Sequence, residues 1–156
     1  MGECIFCRIL AGEAAATIVA RDEVCTTFMD IQPVNPGHVL VVPRRHYESL
    51  VDLPPELGLH LFSVAMQLGP VVRRVAATEG LNLVVSSGEA AGQDVYHFHI
   101  HLIPRRSGDG FDVPLPFPGS TVPDRTQLDA TAARIIASLR DPMRPTPVRA
   151  RAAVGR

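Results

Sequence analysis

The sequence predicts an α+β fold in which a five-stranded antiparallel sheet is accompanied by one long helix, a short N-terminal helix and a C-terminal helix. Five short apolar or β-branched segments are joined by turns, which is typical of antiparallel pairing. One long segment with apolar residues at helical spacing interrupts these strands, whereas a parallel sheet would have a helix after every strand. The chain has 156 residues, of which 46% are apolar, so it is long enough for one domain with a buried core.

The first part of the chain predicts a short helix and three strands. Residues 4–10 place apolar side chains at helical spacing, and Gly12 ends this helix. Residues 17–20 and 24–29 predict two strands separated by a turn, the second rich in β-branched residues. Residues 38–43 predict a third strand, whose nearly continuous apolar run indicates burial on both faces.

A long helix follows, opening at Pro54-Pro55 and ending at Gly80. Pro70 lies inside its apolar stripe and predicts a kink or a break. The stripe consists of Leu57, Leu61, Val64, Ala65, Leu68, Val72 and Val75.

The last elements are two strands and a helix. Residues 81–85 and 95–103 predict the fourth and fifth strands, with a Gly-rich loop over residues 86–94 between them. Asp124 and Gln127 form a start like a capping box for the C-terminal helix.

Composition excludes some kinds of catalytic chemistry and argues against some kinds of partner. All 15 basic residues are arginine, which excludes a P-loop, a Schiff-base lysine and a lysine nucleophile. A formal net charge of −1 gives no strong field for nucleic acid, and no segment resembles a signal peptide or a membrane span. We therefore expect a cytoplasmic protein that contacts neither membrane nor nucleic acid. We expect one domain over residues 1–140 and a disordered tail, rich in Pro and Arg, over residues 141–156.

Three histidines alternate with apolar residues in the fifth strand. Because successive side chains of a strand point to opposite faces, His97, His99 and His101 share one face. Aligned imidazoles suit metal binding, or phosphoryl chemistry in which one imidazole is the nucleophile and a protonated neighbour stabilises phosphate charge. Solvated surface histidines are the alternative, but they explain poorly why three of the six histidines in the chain are aligned. The Gly-rich loop before the strand favours phosphate, because glycine backbone N–H groups can cradle an anion.

Residues 97–103, HFHIHLI, resemble the signature of the histidine triad (HIT) family, in which three histidines alternate with hydrophobic residues. The resemblance covers residues 4–106 and is strongest to the small, Hint-like bacterial members. It implies a nucleotide hydrolase or nucleotidyl transferase that forms a homodimer through a shared antiparallel sheet. The further blocks that carry the resemblance are residues 6–9, Asp30-Ile31, residues 36–43 and Gly92-Gln93.

The resemblance implies a role for each histidine near the reacting phosphorus. The middle histidine of the triad is the family's nucleophile, so His99 is expected to attack the α-phosphorus of a nucleotide and form a nucleotidyl-histidine that water resolves. His101 would bind the phosphate, and a histidine here resembles the hydrolases, since the uridylyltransferase branch carries Gln. His38 would support the nucleophile.

The resemblance also implies how an AMP-like purine nucleotide would be held, as part of a phosphoramidate, an adenylate or a dinucleoside polyphosphate. Asp30 would bind the ribose hydroxyls, and Phe28 and Ile31 would flank the base. The expected substrate-binding set is Phe28, Asp30, Ile31, Ser86, Gly92, Gln93 and Asp94.

Two positions depart from the family pattern. Ser86 stands where the family often has Asn, and its hydroxyl reaches less far toward phosphate. Asp94 stands where the Hint branch often has a small hydroxyl residue. A protonated Asp94 could donate a proton to a leaving amine or alcohol, whereas an ionised Asp94 would repel phosphate. These departures keep open a second function, a nucleotide-binding sensor with little turnover.

Cys4 and Cys7 form a C-x-x-C, which on its own is equally well explained by two half-buried cysteines on a small helix. Together with His46 and His97 they would complete a tetrahedral Zn²⁺ site without an open position, which is the structural kind. Similar zinc sites occur in bacterial relatives of this type, in the same four places. This set makes the third alternative, a metal held by the triad, less attractive. We expect Cys25 to be a core residue and His60 to be solvated or at a helix edge.

Overall fold

The computed structural model describes residues 4–112 and 119–140. The chain divides after Phe111 into two compact units, each of which is described by itself. The predicted tail over residues 141–156 lies outside the described residues, so its disorder and the 1–140 domain boundary stay predictions.

The first unit contains a five-stranded antiparallel sheet, as the sequence predicts, and its strands lie in the order β1-β2-β3-β5-β4. The last strand of the sequence lies inside the sheet, between β3 and β4, and β4 is an edge strand. The strands are β1 (Ile18–Arg21), β2 (Cys25–Met29), β3 (Val39–Pro43), β4 (Gly80–Val84) and β5 (Ile100–Arg105).

Helix α1 (Ile5–Ala11) ends at Gly12, whose left-handed φ of 81° closes the last turn as predicted. Helix α2 (Pro55–Ala76) runs through Pro70 without interruption, so the predicted break is absent. Buried α2 residues lie on both sides of the proline, and this packing offsets its missing N–H. Ala77, in the left-handed conformation, ends α2, and the predicted end at Gly80 is wrong because Gly80 begins β4.

Strand β3 is buried on both faces, which confirms the prediction from its apolar run. Val39 and Val41 pack toward α2, and Leu40 and Val42 pack toward α1. The sheet therefore separates two apolar layers. The α2 layer is built from Cys25, Val39, Val41, Leu61, Ala65, Val72, Phe98, Ile100 and Leu102. The α1 layer is built from Phe6, Ile9, Phe28, Leu40 and Val42.

The fifth strand begins at Ile100, and the predicted start at residue 95 is wrong. The backbone N–H of Phe98 donates to the carbonyl of Tyr47 at 2.6 Å, and that of His97 donates to Val95 at 2.8 Å, so neither joins the β-ladder. Of the three aligned histidines, only His101 lies within the strand. The other two precede it in an irregular segment.

The second unit contains helix α3 (Arg125–Leu139). The Asp124 side chain accepts a hydrogen bond from the backbone N–H of Gln127, and the Gln127 side chain accepts one from the backbone N–H of Asp124, so the predicted capping box is present. No helix among the described residues combines the length and the apolar character that crossing a membrane requires.

Candidate functional site

His99 lies immediately before β5, on the side of the sheet that faces α1. Its Nδ1 lies 2.7 Å from the carbonyl oxygen of His97, so Nδ1 carries the proton and donates it there. Nε2 is therefore left with its lone pair. Burial lowers the pKa of His99, which is 6% exposed, and this keeps the ring neutral at pH 7. A neutral ring with a free Nε2 has the state that a nucleophile needs.

His38 and His101 form a hydrogen-bonded pair next to His99. The N–H of Val34 donates to Nδ1 of His38 at 3.3 Å, so the His38 proton is on Nε2, which lies 3.0 Å from Nδ1 of His101. His101 consequently carries its own proton on Nε2. Burial, followed by the neighbouring His99 and His38, lowers the pKa of His101 to about 4. His101 thus offers a neutral N–H donor, not the protonated imidazole that charge stabilisation suggested.

The sheet register explains why these histidines meet. Leu40 pairs with His101 across the β3–β5 ladder, so His101 points to the same face as Leu40, away from α2. His38 directly precedes β3 and approaches that face from the neighbouring strand. The ring centroids of His99 and His101 are 4.6 Å apart, and those of His38 and His101 are 5.1 Å apart.

Asp30 lies beside this pair. Its Oδ2 is 3.5 Å from Nδ1 of His38 and 3.8 Å from Nδ1 of His101, while Oδ1 accepts the N–H of Gln32 at 2.8 Å. Its negative charge opposes the effect of burial on the pKa of both histidines. Among the described residues, no metal-capable group contains all three triad histidines, although Asp30, His38 and His101 form one.

The two residues expected to flank a base lie in different surroundings. Ile31 is 87% exposed, next to Asp30, and is available to a ligand. Phe28 is only 2% exposed, and its ring packs edge-on against Phe6 at 5.4 Å. Phe6 in turn packs against His99 at 5.2 Å. In this structure Phe28 therefore underlies the site through Phe6.

Gln93 holds the Gly-rich loop by its side chain. Its Oε1 accepts the N–H of Gly88 at 2.7 Å, and its Nε2 donates to the carbonyls of Glu48 at 2.6 Å and Val95 at 3.1 Å. The whole amide is thus engaged with backbone groups in this structure. Gln93 consequently positions the loop, a role that no local sequence pattern would indicate because Glu48 is distant in sequence.

The other loop residues lie around this anchor. Gly92 has a φ of 78° and ends a short 3-10 turn, a conformation that favours glycine. Ser86 is half-buried and Asp94 is exposed. The negative charge of Asp94 acts on His99, where it opposes the lowering of the pKa by burial.

Asn35 is a supporting residue that the sequence analysis did not single out. Its side-chain amide donates to the carbonyl of Pro104 at 2.9 Å and to Asp109 at 2.7 Å, and its backbone carbonyl accepts the N–H of His38 at 3.1 Å. Asp109 is also paired with Arg105 at 2.7 Å. This network fixes the loop that presents His38, and the only sequence signal for it is the Pro- and Gly-rich composition of that loop.

The four predicted metal ligands lie together. Cys4 caps the start of α1, Cys7 lies one turn later, His46 follows β3 and His97 precedes β5. Their ligand atoms are all within 4.8 Å of one another. The distance from Sγ to Nδ1 is 3.5 Å between Cys4 and His97, 3.4 Å between Cys7 and His46, and 3.6 Å between Cys7 and His97.

This geometry fits zinc. A tetrahedral ion with ordinary zinc–sulfur and zinc–nitrogen bonds separates its sulfur and nitrogen ligands by about 3.6 Å. Nε2 of His97 donates to the carbonyl of Pro43 at 2.9 Å, which leaves Nδ1 unprotonated and directed at the cysteines. Burial lowers the pKa of His97 to about 4, so the ring is neutral as a ligand must be.

Comparisons with known proteins agree with this description. A family model described as HIT domain matches residues 11–108. The chain is 40% identical to protein hit of Bacillus subtilis over 109 residues, which cover 69% of this chain and 75% of that protein. It is 34% identical to the adenylylsulfatase HINT3 of Arabidopsis thaliana over 107 residues, which cover 69% of this chain and 54% of that protein. A zinc-bound histidine triad family protein from Mycobacterium smegmatis superposes with a TM-score of 0.66 and 33% identity, covering 86% of this chain and 96% of that chain.

Proposed function

The chain belongs to the HIT family, and on that premise we propose that it is a nucleotide hydrolase or nucleotidyl transferase with His99 as its nucleophile. The family includes hydrolases such as the Arabidopsis adenylylsulfatase. The observation that carries the proposal is the hydrogen bond from Nδ1 of His99 to the His97 carbonyl, which leaves the Nε2 lone pair free to attack.

The reaction proceeds in two displacements at the α-phosphorus. Nε2 of His99 forms a bond to phosphorus, and the bond from phosphorus to the leaving amine or oxygen breaks, with the leaving group taking its electron pair. Water then attacks the phosphorus of the nucleotidyl-histidine and loses a proton to solvent, while the bond from phosphorus to Nε2 breaks and Nε2 keeps its electron pair. This step releases the nucleoside monophosphate and restores His99. In the transfer reaction another acceptor replaces water.

His101 and His38 act on the phosphate through one proton chain. The bond from His38 to His101 holds the His101 proton on Nε2, where it can donate to a non-bridging phosphate oxygen as charge develops. The negative charge of Asp30 lies next to the His38–His101 pair and opposes the lowering of their pKa values by burial. Because His38 reaches phosphate only through His101, it is a positioning residue.

We assign the nucleoside side of the site to Asp30 and Ile31. The half-buried Asp30 has an oxygen directed at the histidine pair, and the exposed Ile31 offers apolar surface to a base. The substrate class is an AMP-like purine nucleotide in a phosphoramidate, an adenylate or a dinucleoside polyphosphate. The similarity to an adenylylsulfatase supports an adenylyl group in the substrate. Because the Gln93 amide is engaged with backbone groups, we assign the phosphate contacts of this loop to its other residues.

We further assign a structural Zn²⁺ to Cys4, Cys7, His46 and His97. When bound, zinc supplies folding free energy by joining α1 to the segments after β3 and before β5. Four protein ligands leave no position for substrate. The thiolates require a reducing compartment, which suits a cytoplasmic location.

We also propose that the protein is a homodimer joined along β4. An edge strand presents unpaired backbone groups, and Leu83 on this one is 38% exposed. Phe62 and Met66 of α2 are 50% and 56% exposed and line, with Leu83, a cavity of about 620 Å³. A second copy of the chain, pairing β4 with β4, would cover these apolar groups.

The decisive experiment is to trap the intermediate. Purified protein is mixed with an AMP-amine phosphoramidate, quenched in base, which preserves phosphohistidine, and analysed by peptide mass spectrometry. We expect an added adenylyl group on His99, absent from His99→Ala and present in the control His60→Ala. Tight nucleotide binding without adenylylation or product would instead establish the sensor, which the negative charge of the exposed Asp94 near His99 favours.

A further inference from the structure

Three potential metal ligands that belong to neither site described above converge at one place. Asp22 lies in the turn between β1 and β2, Cys25 begins β2 and His60 lies on α2. Nε2 of His60 is 2.7 Å from Oδ2 of Asp22, and Sγ of Cys25 donates to the same oxygen at 3.2 Å. The three ligand atoms are all within 4.8 Å of one another.

We propose that Asp22, Cys25 and His60 form a second metal site, which takes an exchangeable divalent cation such as Zn²⁺ or Co²⁺. A thiolate, an imidazole and a carboxylate together favour such borderline-soft ions over Mg²⁺ and Ca²⁺, which prefer oxygen ligands alone. Three protein ligands leave one tetrahedral position for water, so the bound ion can exchange.

The turn holds the carboxylate ready for this role. Oδ1 of Asp22 accepts the backbone N–H groups of Val24 at 2.8 Å and Cys25 at 2.7 Å. These bonds occupy one oxygen and direct Oδ2 toward the thiol and the imidazole. The Asp22 carboxylate is therefore oriented before any ion arrives.

One side of this site is buried and the other side is open to solvent. Cys25 is 2% exposed and belongs to the apolar layer under α2, whereas the side chains of His60 and Asp22 are 43% and 38% exposed. An ion would enter from solvent past His60. A cavity of about 530 Å³ adjoins His60 and is lined by two acidic and two basic residues, Glu23, Glu56, Arg44 and Arg45. Because these four charges offset one another, the Asp22 carboxylate supplies the negative charge that attracts the cation.

Binding replaces the present hydrogen bonds by metal bonds. The Cys25 thiol loses its proton to solvent and forms a sulfur–metal bond. The His60 ring moves its proton by way of solvent from Nε2, where it is shared with Asp22, to Nδ1, and Nε2 then contributes its lone pair to the ion. Oδ2 of Asp22, which accepts two hydrogen bonds before binding, then contributes a lone pair to the ion. Each ion bound therefore releases a proton from the thiol.

The test is the cobalt stoichiometry and absorption spectrum of the full chain after chelation and reloading with Co²⁺. We expect about two ions per chain, each with thiolate-to-cobalt charge transfer in the near ultraviolet. Cys25→Ser should remove one ion and its share of that absorption. His60→Gln, a change at a side chain that is 43% exposed and lies outside the apolar layers, should weaken binding of the same ion at least about tenfold.

Cys7→Ser is the control that separates the two metal sites. It should abolish the ion at Cys4 and Cys7 and leave the ion at Cys25 and His60 in place. If the first zinc assignment fails, Cys7→Ser will change nothing while Cys25→Ser still removes an ion. The second site is overturned if the wild-type chain takes up only the ion that Cys7→Ser removes, or if Cys25→Ser and His60→Gln both retain the full stoichiometry.

Discussion

The carbonyl oxygen of His97 accepts the Nδ1 proton of His99 at 2.7 Å, while the ring of His97 faces Cys4 and Cys7 at 3.5 and 3.6 Å. One residue thus joins the cysteine cluster to the proposed nucleophile. Its ring fixes the segment before β5, and its backbone fixes the tautomer of His99. The arrangement makes the orientation of His99 depend on the proposed zinc ligands.

Loss of a zinc ligand should lower both the zinc affinity and the stability of the fold. We expect Cys7→Ser to abolish tight zinc binding and to lower the free energy of unfolding by about 2–5 kcal/mol, because the segments that zinc joins become independent. Zinc content and denaturant unfolding measure the two effects. Arg8→Ala, a change at the next residue of α1, should retain zinc. Equal stability of the wild-type protein with and without a chelator would contradict the prediction.

Removal of the His101 ring should slow the chemical step more than it weakens binding. We expect His101→Ala to lower kcat about 10²- to 10³-fold with a much smaller change in KM, since its Nε2–H is proposed to stabilise charge that develops in the transition state. Steady-state kinetics with an AMP phosphoramidate measure both constants. A large rise in KM at unchanged kcat would assign His101 to substrate binding alone.

The pH dependence of stability follows from the lowered pKa of His101. The pKa is about 4 in the folded protein against an ordinary value of 6.5, so the unfolded chain binds the extra proton first as the pH falls. The contribution is complete above pH 6.5 and is lost between 6.5 and about 4, with a slope of at most about 1.4 kcal/mol per pH unit. Urea unfolding across this range should show this slope added to that of His97, whose pKa burial also lowers to about 4. The His101→Gln variant should reduce it, and an equal slope in that variant would contradict the assignment.

The negative charge of Asp94 should limit turnover of substrates with anionic leaving groups. We expect Asp94→Asn to raise kcat/KM for such substrates about fivefold, because a repulsion of about 1 kcal/mol at a solvated position disappears. The matched control is Glu89→Gln, which removes an exposed acid from the same loop and should leave kcat/KM nearly unchanged. Lower turnover of amine-releasing substrates in Asp94→Asn would identify Asp94 as a proton donor.

A charged residue on the edge strand should break the proposed dimer. We expect Leu83→Arg to shift the protein to monomer in analytical ultracentrifugation, because the introduced guanidinium would be buried against its symmetry mate. Val51→Arg, at a position that is 87% exposed and does not belong to β4, is the control. A wild-type protein that sediments as a monomer at micromolar concentration would refute the dimer.

The sequence predicts the parts of the fold that depend on local pattern. The capping box at Asp124, the end of α1 at Gly12 and the two-sided burial of β3 each follow from a few adjacent residues. The start of β5 could not be predicted in this way, because it depends on a bond from Phe98 to Tyr47, 51 residues earlier in the chain. The continuity of α2 through Pro70 likewise depends on packing against the sheet.

In the candidate site, too, some features follow from the sequence and others only from tertiary contacts. The types and order of the histidines are visible in the sequence, and so is the grouping of Cys4 and Cys7 with His46 and His97. The proton chain from Val34 through His38 to His101 is not, because backbone donors carry no sequence signal. The amide bonds of Gln93 and the cluster around Asp22 also arise only from tertiary contacts.

The length of strand β3 sets the separation between the histidine pair at His38 and the cysteine cluster at His97. His38 precedes its first residue, and the carbonyl of Pro43, its last residue, holds the ring of His97. An insertion of one residue in β3 would turn both apolar faces over and also change the separation of His38 from His97. Loop grafting or residue insertion in this scaffold is therefore better placed in surface turns, while the length of β3 stays fixed.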